Sequence, residues 1–594
     1  MTTEQALHTY FGYDAFRGIQ ADVIARVQAG KDTLALMPTG GGKSLCFQIP
    51  TLVCEGLCLV VTPLIALMKD QVENLRRRDI RAAAIYSGMT FDQIETVLDN
   101  CQYGPYRFLY VSPERLESDT FRLRLNRLPI TLIAVDEAHC ISQWGYDFRP
   151  SYLHIAAIRD RVTPEGNTER IPILALTATA TPEVTRDICL RLTAPVELNE
   201  AEQEEALQNW QVFRQSFHRN NLSYVVRTCR DSRDKEEQLR HILGRVPGSA
   251  IVYVRNRKRT EELGRTLGVL YYHAGLSHEE RTLRQQAWKA WNSGSSDTTA
   301  RVMVCTNAFG MGIDKPDVRL VIHYDLPDSP EAYFQEAGRA GRDGKPAYAV
   351  LLFADEDKAK AHKRVSDNYP PREFVEKVYH AASDYFGVGQ GSGLNHSFAL
   401  HMDDLCRVMK LPILTTYSAM HLLTQAGYIY FEDEQETEAR VKLNISREAL
   451  GVYELGEAHK ELLQTLMRQY TGIFTDLQYL RFTPDEVQHR LLADLAARHI
   501  ITYLPRTRAC LFSYTRERQA DIWLPRSIYE QRQQQYAERL TAMLEYAENT
   551  RFCREQLLLH YFGEDKAPVC HTCDICRNRK RLDGCGRDSE IVKQ

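Results

Sequence analysis

Short and nearly continuous apolar runs recur along the first 355 residues of the chain, and helical stretches separate them. Runs of this kind are typical of strands that are buried on both faces of a parallel sheet. The pattern therefore predicts an α/β fold for this part of the chain. The predicted strands are Thr33–Met37, Leu57–Thr62, Phe108–Val111, Leu132–Asp136, Ile173–Thr177, Ala250–Val254, Arg301–Thr306 and Leu320–Tyr324.

The acidic segment around Pro195–Gln211 has no strand pattern, and we interpret it as a linker between two α/β domains. Further along, the GQGSG stretch at 389–393 predicts a flexible joint. Two short helices, His401–Lys410 and Thr415–Ala426, then precede two strands, Tyr428–Phe431 and Arg440–Leu443. We predict that these strands pair as the hairpin of a winged-helix-like domain. The predicted domains are 1–205 and 206–355 (α/β), 356–400 (helical linker), 401–455 (winged-helix-like), 456–550 (mixed helical) and 551–594 (cysteine-rich, with a basic tail).

Length, charge and cysteine content limit the possible function classes. At roughly 150 residues per domain, a chain of 594 residues suggests about four domains. The net charge of −4 argues against a histone-like polycation, so any nucleic-acid contact would come from local patches. The sequence has no secretory signal pattern and no apolar run of membrane-spanning length, so we expect a soluble, cytoplasmic protein. Fifteen cysteines in such a chain indicate reduced thiols and one metal site.

A glycine-rich segment, MPTGGGKS at 37–44, follows an apolar strand and precedes a helical stretch. Gly40, Gly41 and Gly42 lack Cβ atoms, so backbone N–H groups can surround a phosphate at the start of the helix. Lys43 is expected to reach the β- and γ-phosphates, and Ser44 is expected to hold Mg²⁺. Met37 replaces the usual first glycine, and a glycine-rich turn without function is the alternative. Thr39 completes the candidate nucleotide-binding residues of this segment.

The segment LIAVDEAHC ends another apolar strand with two acidic residues. We expect Asp136 to bind Mg²⁺ and Glu137 to polarise the water that attacks the nucleotide. His139 is the third catalytic candidate in this segment. A solvated acidic turn would also fit the segment taken alone, but the glycine-rich loop upstream favours a nucleotide hydrolysis site.

A third segment, YFQEAGRAGRDG at 333–344, carries Gln335, Arg339 and Arg342 as catalytic candidates. Phosphoryl transfer spreads charge over the γ-phosphoryl oxygens, and a supplied arginine stabilises that charge. Because the segment belongs to the second α/β domain, both domains would have to close on ATP, and hydrolysis would then be coupled to domain separation. An exposed basic turn is the alternative.

Four cysteines near the end of the sequence, Cys553, Cys570, Cys573 and Cys576, have the spacing C-x16-C-x2-C-x2-C. Short C-x2-C pairs with a more distant partner commonly hold tetrahedral zinc. We therefore predict that residues 551–594 form a zinc-binding module, with His571 and Cys585 as alternative ligands. Scattered buried thiols, such as Cys46 or Cys189, are the competing interpretation.

In this order, the motifs resemble those of a superfamily 2 helicase and, more narrowly, of the RecQ family, over about residues 8–355. The resemblance implies two tandem RecA-like domains, a preference for ATP and 3′-to-5′ unwinding of DNA. It also implies that Tyr13, Arg17 and Gln20 contact adenine and that Asp314 lies near the nucleotide. The segments that resemble the family's other motifs are TPLIALMKDQ (62–71), VSPERL (111–116), LTATAT (176–181), VYVRNRKRTEEL (252–263) and CTNAFGMGIDKPDVR (305–319). The implied DNA-binding candidates in these segments are Thr62, Pro63, Ser112, Arg115, Asn256, Arg257 and Thr306.

The segment CISQWGYDFRPSY at 140–152 resembles the aromatic-rich loop of the RecQ family. Trp144 and Phe148 would stack on unpaired bases, a contact that tolerates any sequence. Gln143 and Arg149 are further DNA-binding candidates, and Arg149 would carry the contact back to the ATP site. Aromatic residues at this spacing also occur in cores, but the interleaved polar residues, glycine and proline favour a loop.

The accessory regions depart from the family's usual order, because the zinc-binding module follows the winged-helix-like domain instead of preceding it. The expected wing, Glu432–Ala439, is acidic, and the helix at 415–426 has no Lys or Arg. Since phosphates dominate nucleic-acid affinity, this wing is poorly suited to contact a duplex. The basic run Arg577–Arg581 is a better duplex contact, with a solvated tail as the alternative.

The leading hypothesis is an ATP-dependent 3′-to-5′ DNA helicase for repair, recombination and replication, with ATP, Mg²⁺ and Zn²⁺ as cofactors. Its expected partners are single-stranded and forked or tailed duplex DNA, with a single-strand-binding protein or repair proteins as further candidates. We expect a monomer without membrane contact. The alternatives are an RNA-directed superfamily 2 helicase and an ATP-dependent nucleic-acid clamp that does not unwind.

Overall fold

The computed structural model divides the chain into two compact units, which are described separately. Unit 1 consists of Met1–Ala361 together with Glu538–Gln594, and unit 2 consists of His362–Ala537. In the sequence, unit 2 is therefore an insertion within unit 1. The described residues are 1–580 without 39, 87–88, 90, 143–148, 164–169, 196–197, 296, 311–314, 395, 438, 447–448, 450–452, 454, 471, 475–476, 481, 483 and 506.

Helices and strands alternate through most of unit 1, as the apolar pattern predicted. The strands are β1 Thr33–Leu36, β2 Leu57–Val61, β3 Ala82–Ile85, β4 Phe108–Val111, β5 Ile130–Val135, β6 Ile173–Thr177, β7 Gln211–Arg214, β8 Leu222–Cys229, β9 Ser249–Tyr253, β10 Leu270–Tyr272, β11 Val302–Cys305, β12 Val318–His323, β13 Ala347–Ala354, β14 Ser397–Leu400, β15 Ile429–Thr437, β16 Arg440–Leu443, β17 Gln478–Tyr479, β18 Ile501–Leu504 and β19 Thr507–Tyr514.

The helices, numbered along the whole chain, are α1 Thr3–Ala6, α2 Gln20–Gln28, α3 Leu45–Val53, α4 Ile65–Arg76, α5 Phe91–Tyr103, α6 Asp119–Leu125, α7 Ile155–Val162, α8 Pro182–Thr193, α9 Glu200–Asn209, α10 Ser232–Arg245, α11 Arg257–Leu267, α12 His278–Ala290, α13 Pro330–Ala337, α14 Glu356–Asn368, α15 Arg372–Tyr385, α16 Met402–Met409, α17 Ile413–Gln425, α18 Glu457–Gln469, α19 Glu486–Ala497, α20 Glu530–Glu548 and α21 Arg554–Tyr561. Short π- or 3₁₀-helical turns lie at Leu7–Phe11, Pro113–Glu117, Ala138–Ile141, Pro150–His154 and Thr299–Arg301.

The described residues of unit 1 form two parallel sheets, and we call each sheet with its helices a lobe. Lobe 1 has seven strands in the order β3-β4-β2-β5-β6-β1-β7, and lobe 2 has six in the order β10-β11-β9-β12-β13-β8. The strands β1, β2, β4 and β6 are buried at every position, which explains why they appear as continuous apolar runs. The predicted α/β fold with two parallel-sheet domains is confirmed.

The structure differs from the sequence-based prediction at Pro195–Gln211, which we expected to be a linker. Glu200–Asn209 forms α9, which begins at a capping box between Asn199 and Glu202. The next strand, β7, pairs in parallel with β1 at the edge of lobe 1. Lobe 1 therefore extends to about residue 214, beyond the boundary expected at 205, because an exposed edge strand has little apolar pattern.

Two antiparallel sheets lie in the part of unit 2 that the structure describes, and the predicted hairpin of Tyr428–Phe431 with Arg440–Leu443 is wrong. The strand β15 pairs with β19, in the sheet β14-β19-β15, whereas β16 pairs with β17 and β18 in a second sheet. The residues expected to form an acidic wing belong largely to β15, with Glu436 opposite Arg508. From α15 the elements follow the order helix, strand, helix, helix, strand, and residues that form a separate subdomain lie between β15 and its partner β19. The winged-helix-like domain stays a prediction.

The inserted subdomain, between β15 and β19, has its own apolar core. Its buried residues include Leu463, Leu466, Leu492 and Leu495 from α18 and α19, which pack on β16 and β18. None of the helices in the described part of the chain combines the length and apolar composition that a membrane span requires.

Candidate nucleotide and zinc sites

The glycine-rich loop connects the buried strand β1 to helix α3, as the sequence predicted. Gly40 and Gly42 have φ angles of +81° and +77°, a backbone region that L side chains rarely adopt. Ser44 is the N-cap of α3, so the loop ends at the positive end of that helix. The backbone is thus shaped to surround an anion at the carboxyl edge of the lobe 1 sheet.

Gln20 supports this loop from helix α2. Its side-chain amide is buried and donates hydrogen bonds to the carbonyls of Gly41 and Gly42, at 3.1 and 3.3 Å. Its Oε1 accepts a hydrogen bond from the Arg17 N–H at 2.9 Å. A Cβ at Gly42 would lie 2.3 Å from Gln20 Nε2, so this position admits only glycine without rearrangement.

Two carboxylates stand directly after strand β5. Burial raises the pKa of Asp136 to about 6, and the neighbouring carboxylate of Glu137 adds to this effect. Burial would also raise the pKa of Glu137, but the charges of Lys43, His139 and Arg339 hold it below its usual value. Glu137 has a φ of +47°, which is a strained conformation for a non-glycine residue. Strain and desolvation therefore coincide at the residue expected to polarise water.

Contacts from the DEAH segment lead to two neighbouring elements of lobe 1. His139 Nδ1 lies 2.9 Å from the hydroxyl of Thr177, at the end of β6, and 3.4 Å from Glu137 Oε2. The Tyr152 hydroxyl donates to the Asp136 carbonyl at 3.0 Å. Arg149 donates to the carbonyl of Pro63. The DEAH segment is therefore connected to LTATAT through His139, and Arg149, further along the chain, contacts the loop that follows β2.

Arginines of lobe 2 reach lobe 1, as expected of a shared site. The ideal Cβ of Gly40 would lie 3.5 Å from Cγ of Arg342. Arg339 is buried, donates to the Gly310 carbonyl and is close enough to Glu137 to lower the pKa of that carboxyl. Gln335 is buried in helix α13. The structure thus brings Arg342 to the glycine-rich loop and Arg339 to the DEAH segment.

One cavity of about 350 Å³ is lined by the residues expected to contact adenine and by residues of both lobes. Tyr13, Arg17 and Gln20 line it together with the loop glycines and Arg342. Arg17 lies over the Tyr13 ring, 5.6 Å from its centroid. Part of the opposite wall comes from the segment between the lobes, through Gln215, Ser216, His218, Arg219 and Asn221. Sequence analysis missed this wall because the polar segment QSFHRNN has no periodic pattern.

The DNA-binding candidates lie where parallel strands end. Thr62, Pro63 and Ser112 follow β2 and β4 in lobe 1, and Arg115 donates to the Tyr86 carbonyl at 3.0 Å. The hydroxyls of Thr62 and Ser112 are buried and have no hydrogen-bond partner among the described residues. In lobe 2, Thr306 follows β11, while Asn256 caps helix α11 and Arg257 begins it. Thr39, Gln143, Trp144, Phe148 and Asp314 lie outside the described residues.

The four predicted zinc ligands converge at the start of helix α21. Cys553, Cys570, Cys573 and Cys576 place their Sγ atoms within 4.8 Å of one another. A tetrahedral zinc with four bonds of about 2.3 Å needs sulfurs about 3.8 Å apart, so the cluster fits this metal. Backbone N–H groups of Cys573 and Cys576 donate to cluster sulfurs at 3.3 and 3.4 Å. His571 is not in the cluster, and Cys585 and Arg581 lie outside the described residues.

The zinc module, which we define as residues 551–580, lies against lobe 2. Phe562 packs on Phe217 and Phe334, with ring centroids 5.8 and 5.0 Å away. Tyr561 donates to Glu331 at 3.0 Å, and Asp574 accepts from the backbone N–H of Val226 at 3.2 Å. Although the module follows unit 2 in the sequence, it thus belongs to the same compact body as the two lobes.

Comparisons with known proteins match all three parts of unit 1. The family model "DEAD/DEAH box helicase" matches residues 17–188, "Helicase conserved C-terminal domain" matches 234–344 and "RecQ zinc-binding" matches 517–577. A probable ATP-dependent DNA helicase RecS of Bacillus subtilis (strain 168) is 40% identical over 361 residues, which are 60% of this chain and 67% of that protein.

Two proteins described as ATP-dependent DNA helicase RecQ are similarly close. The one from Pasteurella multocida (strain Pm70) is 40% identical, and the aligned residues are 61% of this chain and 54% of that protein. The one from Bacillus subtilis (strain 168) is 40% identical, and the aligned residues are 60% of this chain and 56% of that protein. The chain thus spans between about half and two thirds of these relatives. With the two-lobed site and the four-cysteine cluster, these matches place the chain in the RecQ family of DEAD/DEAH-box ATP-dependent DNA helicases.

Proposed function

We propose that this chain uses ATP hydrolysis to move 3′ to 5′ along single-stranded DNA and to unwind forked or tailed duplexes during repair, recombination and replication. The observation that supports this proposal most directly is the position of Arg342, a lobe 2 residue, against Gly40 in the phosphate-binding loop of lobe 1. A nucleotide held there contacts both lobes, so its hydrolysis changes the free energy of lobe closure.

Residues of this chain supply the chemistry of the proposed site. The N–H groups of Gly40–Gly42 and the ammonium of Lys43 bind the phosphates, while Tyr13, Arg17 and Gln20 bind adenine. Glu137 accepts a hydrogen bond from the attacking water and orients it, and Arg339 and Arg342 stabilise the charge that develops on the γ-phosphoryl group. His139 and Gln335 position these groups from the DEAH segment and helix α13.

Mg²⁺ fits the donor set at Ser44 and Asp136. Burial and, secondly, the charge of Glu137 raise the pKa of the Asp136 carboxyl, and a bound divalent cation would offset both effects. When bound, the ion neutralises charge on the β- and γ-phosphate oxygens. Ser44 Oγ accepts a hydrogen bond from Gln71 at 3.4 Å, a contact that orients the hydroxyl.

The proposed DNA path follows the carboxyl ends of the strands in both lobes. Thr62 and Ser112 keep buried hydroxyls without partners among the described residues, and phosphate oxygens would satisfy them. Arg115, Asn256, Arg257 and Thr306 extend this path, and Arg149 joins it to the ATP site through Pro63. Gln143, Trp144 and Phe148 are proposed to contact unpaired bases.

The first experiment is strand displacement with ATP on duplexes that carry a 3′ tail, a 5′ tail or an RNA tail. We expect unwinding of the 3′-tailed DNA duplex only. Unwinding with RNA tails alone would instead identify an RNA-directed helicase. Tight DNA binding without displacement on any substrate would identify a non-unwinding clamp.

The second experiment tests the hydrolytic assignment with Glu137→Gln. Because a neutral glutamine amide polarises the attacking water far less than a carboxylate does, turnover should fall by at least about a hundredfold while ATP binding remains. The matched control is Glu205→Gln on the exposed face of α9, which should keep wild-type turnover. Unchanged turnover in Glu137→Gln would reject the role proposed for this residue.

A further inference from the structure

The segment Ser216–Asn221, between the two sheets of unit 1, is held by two carboxylates of the zinc module. Glu564 accepts hydrogen bonds from the Phe217 N–H and the Ser216 hydroxyl, both at 2.8 Å. Glu555 accepts from the Arg219 N–H at 2.9 Å, and its other oxygen lies 3.0 Å from His218 Nδ1. Backbone donors that have no strand partner are therefore satisfied by acidic side chains from a module more than 330 residues away in sequence.

The same segment also contacts the arginine-bearing loop of lobe 2. The guanidinium of Arg219 donates to the carbonyl of Gly338 at 3.0 Å and to that of Gly341 at 2.5 Å. Asn221 donates to the Gly341 carbonyl at 2.7 Å. Gly341 immediately precedes Arg342, so these donors fix the backbone from which that arginine reaches the phosphate-binding loop.

Burial makes this arrangement rigid. Phe217 is 2% exposed and lies between Phe334 of lobe 2 and Phe562 of the zinc module. The carboxylate of Glu555 is 1% exposed, and such a group is stable only where it is paired and hydrogen-bonded. Glu555 also lies in the first turn of α21, directly after the N-cap Cys553 and Arg554. One helical turn therefore joins the four-cysteine cluster to the wall of the nucleotide cavity.

We propose that Glu555 and Glu564 are positioning residues for the nucleotide site, and that the zinc module thereby sets the affinity of the motor for ATP. They act through the segment Ser216–Asn221. Its residues Ser216, His218, Arg219 and Asn221 line the cavity, and Arg219 and Asn221 also hold the loop that carries Arg342. This inference rests on the proposed function, since it assumes that the cavity between the lobes binds ATP. It assigns the zinc module a role in nucleotide binding as well as in folding.

The test measures the affinity of the full-length chain for a fluorescent, non-hydrolysable ATP analogue. Glu564→Ala removes both acceptors and should weaken binding about fivefold, at the lower end of the usual range for coupling between sites. Glu564→Gln should restore near wild-type affinity, because its amide oxygen still accepts from Phe217 and its NH₂ group can donate to Ser216. The matched control is Asp565→Ala, whose carboxylate pairs with the exposed His560 at 2.8 Å.

Zinc content, measured by elemental analysis, should remain one ion per chain in all three variants. If Glu564→Ala loses zinc or unfolds, Ser216→Ala takes its place. This change removes the hydroxyl that donates to Glu564 and accepts from the His218 N–H, and it leaves the zinc module itself unchanged. Equal affinities of Glu564→Ala, or of Ser216→Ala in its place, and the Asp565→Ala control would overturn the proposal. A wild-type chain that binds no ATP analogue would reject the proposed function itself, which is a different result.

Discussion

The ring of His139 and the hydroxyl of Thr177 are joined at 2.9 Å, and this contact links the DEAH segment to the end of strand β6. The same hydroxyl accepts from the Thr179 N–H at 3.3 Å. Thr177 thus holds the histidine that lies beside Glu137. Thr177 belongs to LTATAT (176–181), and the resemblance of this segment to a RecQ-family motif implies that it links hydrolysis to DNA.

Replacing Thr177 with valine should therefore lower DNA-stimulated turnover without changing nucleotide affinity. Valine has a similar shape but removes the hydroxyl, and a neutral hydrogen bond contributes about 1 kcal/mol, or roughly fivefold in kcat. Steady-state ATP hydrolysis with and without DNA measures this effect. Thr96→Val is the control, because its hydroxyl bonds to the Asp92 carbonyl within α5. An equal loss in both variants would contradict the linkage.

Gly42→Ala should greatly weaken nucleotide binding. The new methyl group would collide with Gln20 Nε2 at 2.3 Å and displace an amide that holds the loop carbonyls. Gly30→Ala is a matched control, because Gly30 has a φ of +71° but nothing within 4 Å of the added Cβ. Both substitutions carry backbone strain of roughly 1 kcal/mol, so only Gly42→Ala should lose affinity, by about tenfold or more. Nucleotide titration that finds equal affinities would show that Gln20 does not shape the loop.

Arg159 and Asp32 form a buried ion pair that we expect to stabilise lobe 1. Arg159 donates to both oxygens of Asp32, at 2.8 and 2.7 Å, and Asp32 also accepts from the Ile173 N–H at 2.9 Å. Arg159→Leu leaves a buried carboxylate unpaired, which should lower the free energy of unfolding by about 3 kcal/mol.

The control for Arg159→Leu is Arg170→Leu. This change removes the ion pair between Arg170 and Asp160, in which both side chains are substantially exposed. Such surface pairs contribute about 0–1 kcal/mol, so this variant should unfold close to the wild type. Urea unfolding followed by circular dichroism separates the two expectations. Equal shifts in midpoint would show that the buried pair contributes no more than the surface pair.

Elemental analysis should find one zinc ion per chain, and Cys573→Ser should remove most of it. Cys573 is fully buried within the cluster, and a serine hydroxyl is a much weaker zinc ligand than a thiolate. Cys54→Ser, at an exposed thiol outside the cluster, should keep the ion. A zinc-free wild-type chain with its four cysteines reduced would contradict the assignment.

Features encoded within a few neighbouring residues were predictable from the sequence. The glycine-rich loop, the two acids after β5 and the spacing of Cys570, Cys573 and Cys576 each specify a local geometry. Several strands were also correct to within a residue or two, because burial on both faces leaves a continuous apolar run. By the same criterion β13, Ala347–Ala354, was detectable but was not included among the predicted strands.

Pairings between distant segments were not predictable in the same way. Strand β15 pairs with β19, which begins 70 residues after β15 ends, and nothing in either strand excludes the nearer partner β16. Likewise, Ser216 and Glu564 are polar residues without periodicity, so neither predicts the hydrogen bond between them. Only the folded chain shows that a cavity wall depends on a carboxylate 348 residues further along the sequence.

The position of unit 2 within the sequence of unit 1 has an evolutionary consequence. The lobes and the zinc module form one compact body from Met1–Ala361 and Glu538–Gln594, although 176 residues separate these two stretches in the sequence. Among chains with this connectivity, we therefore expect changes of length and sequence in the intervening residues to be tolerated more readily than changes within the body that holds the nucleotide site.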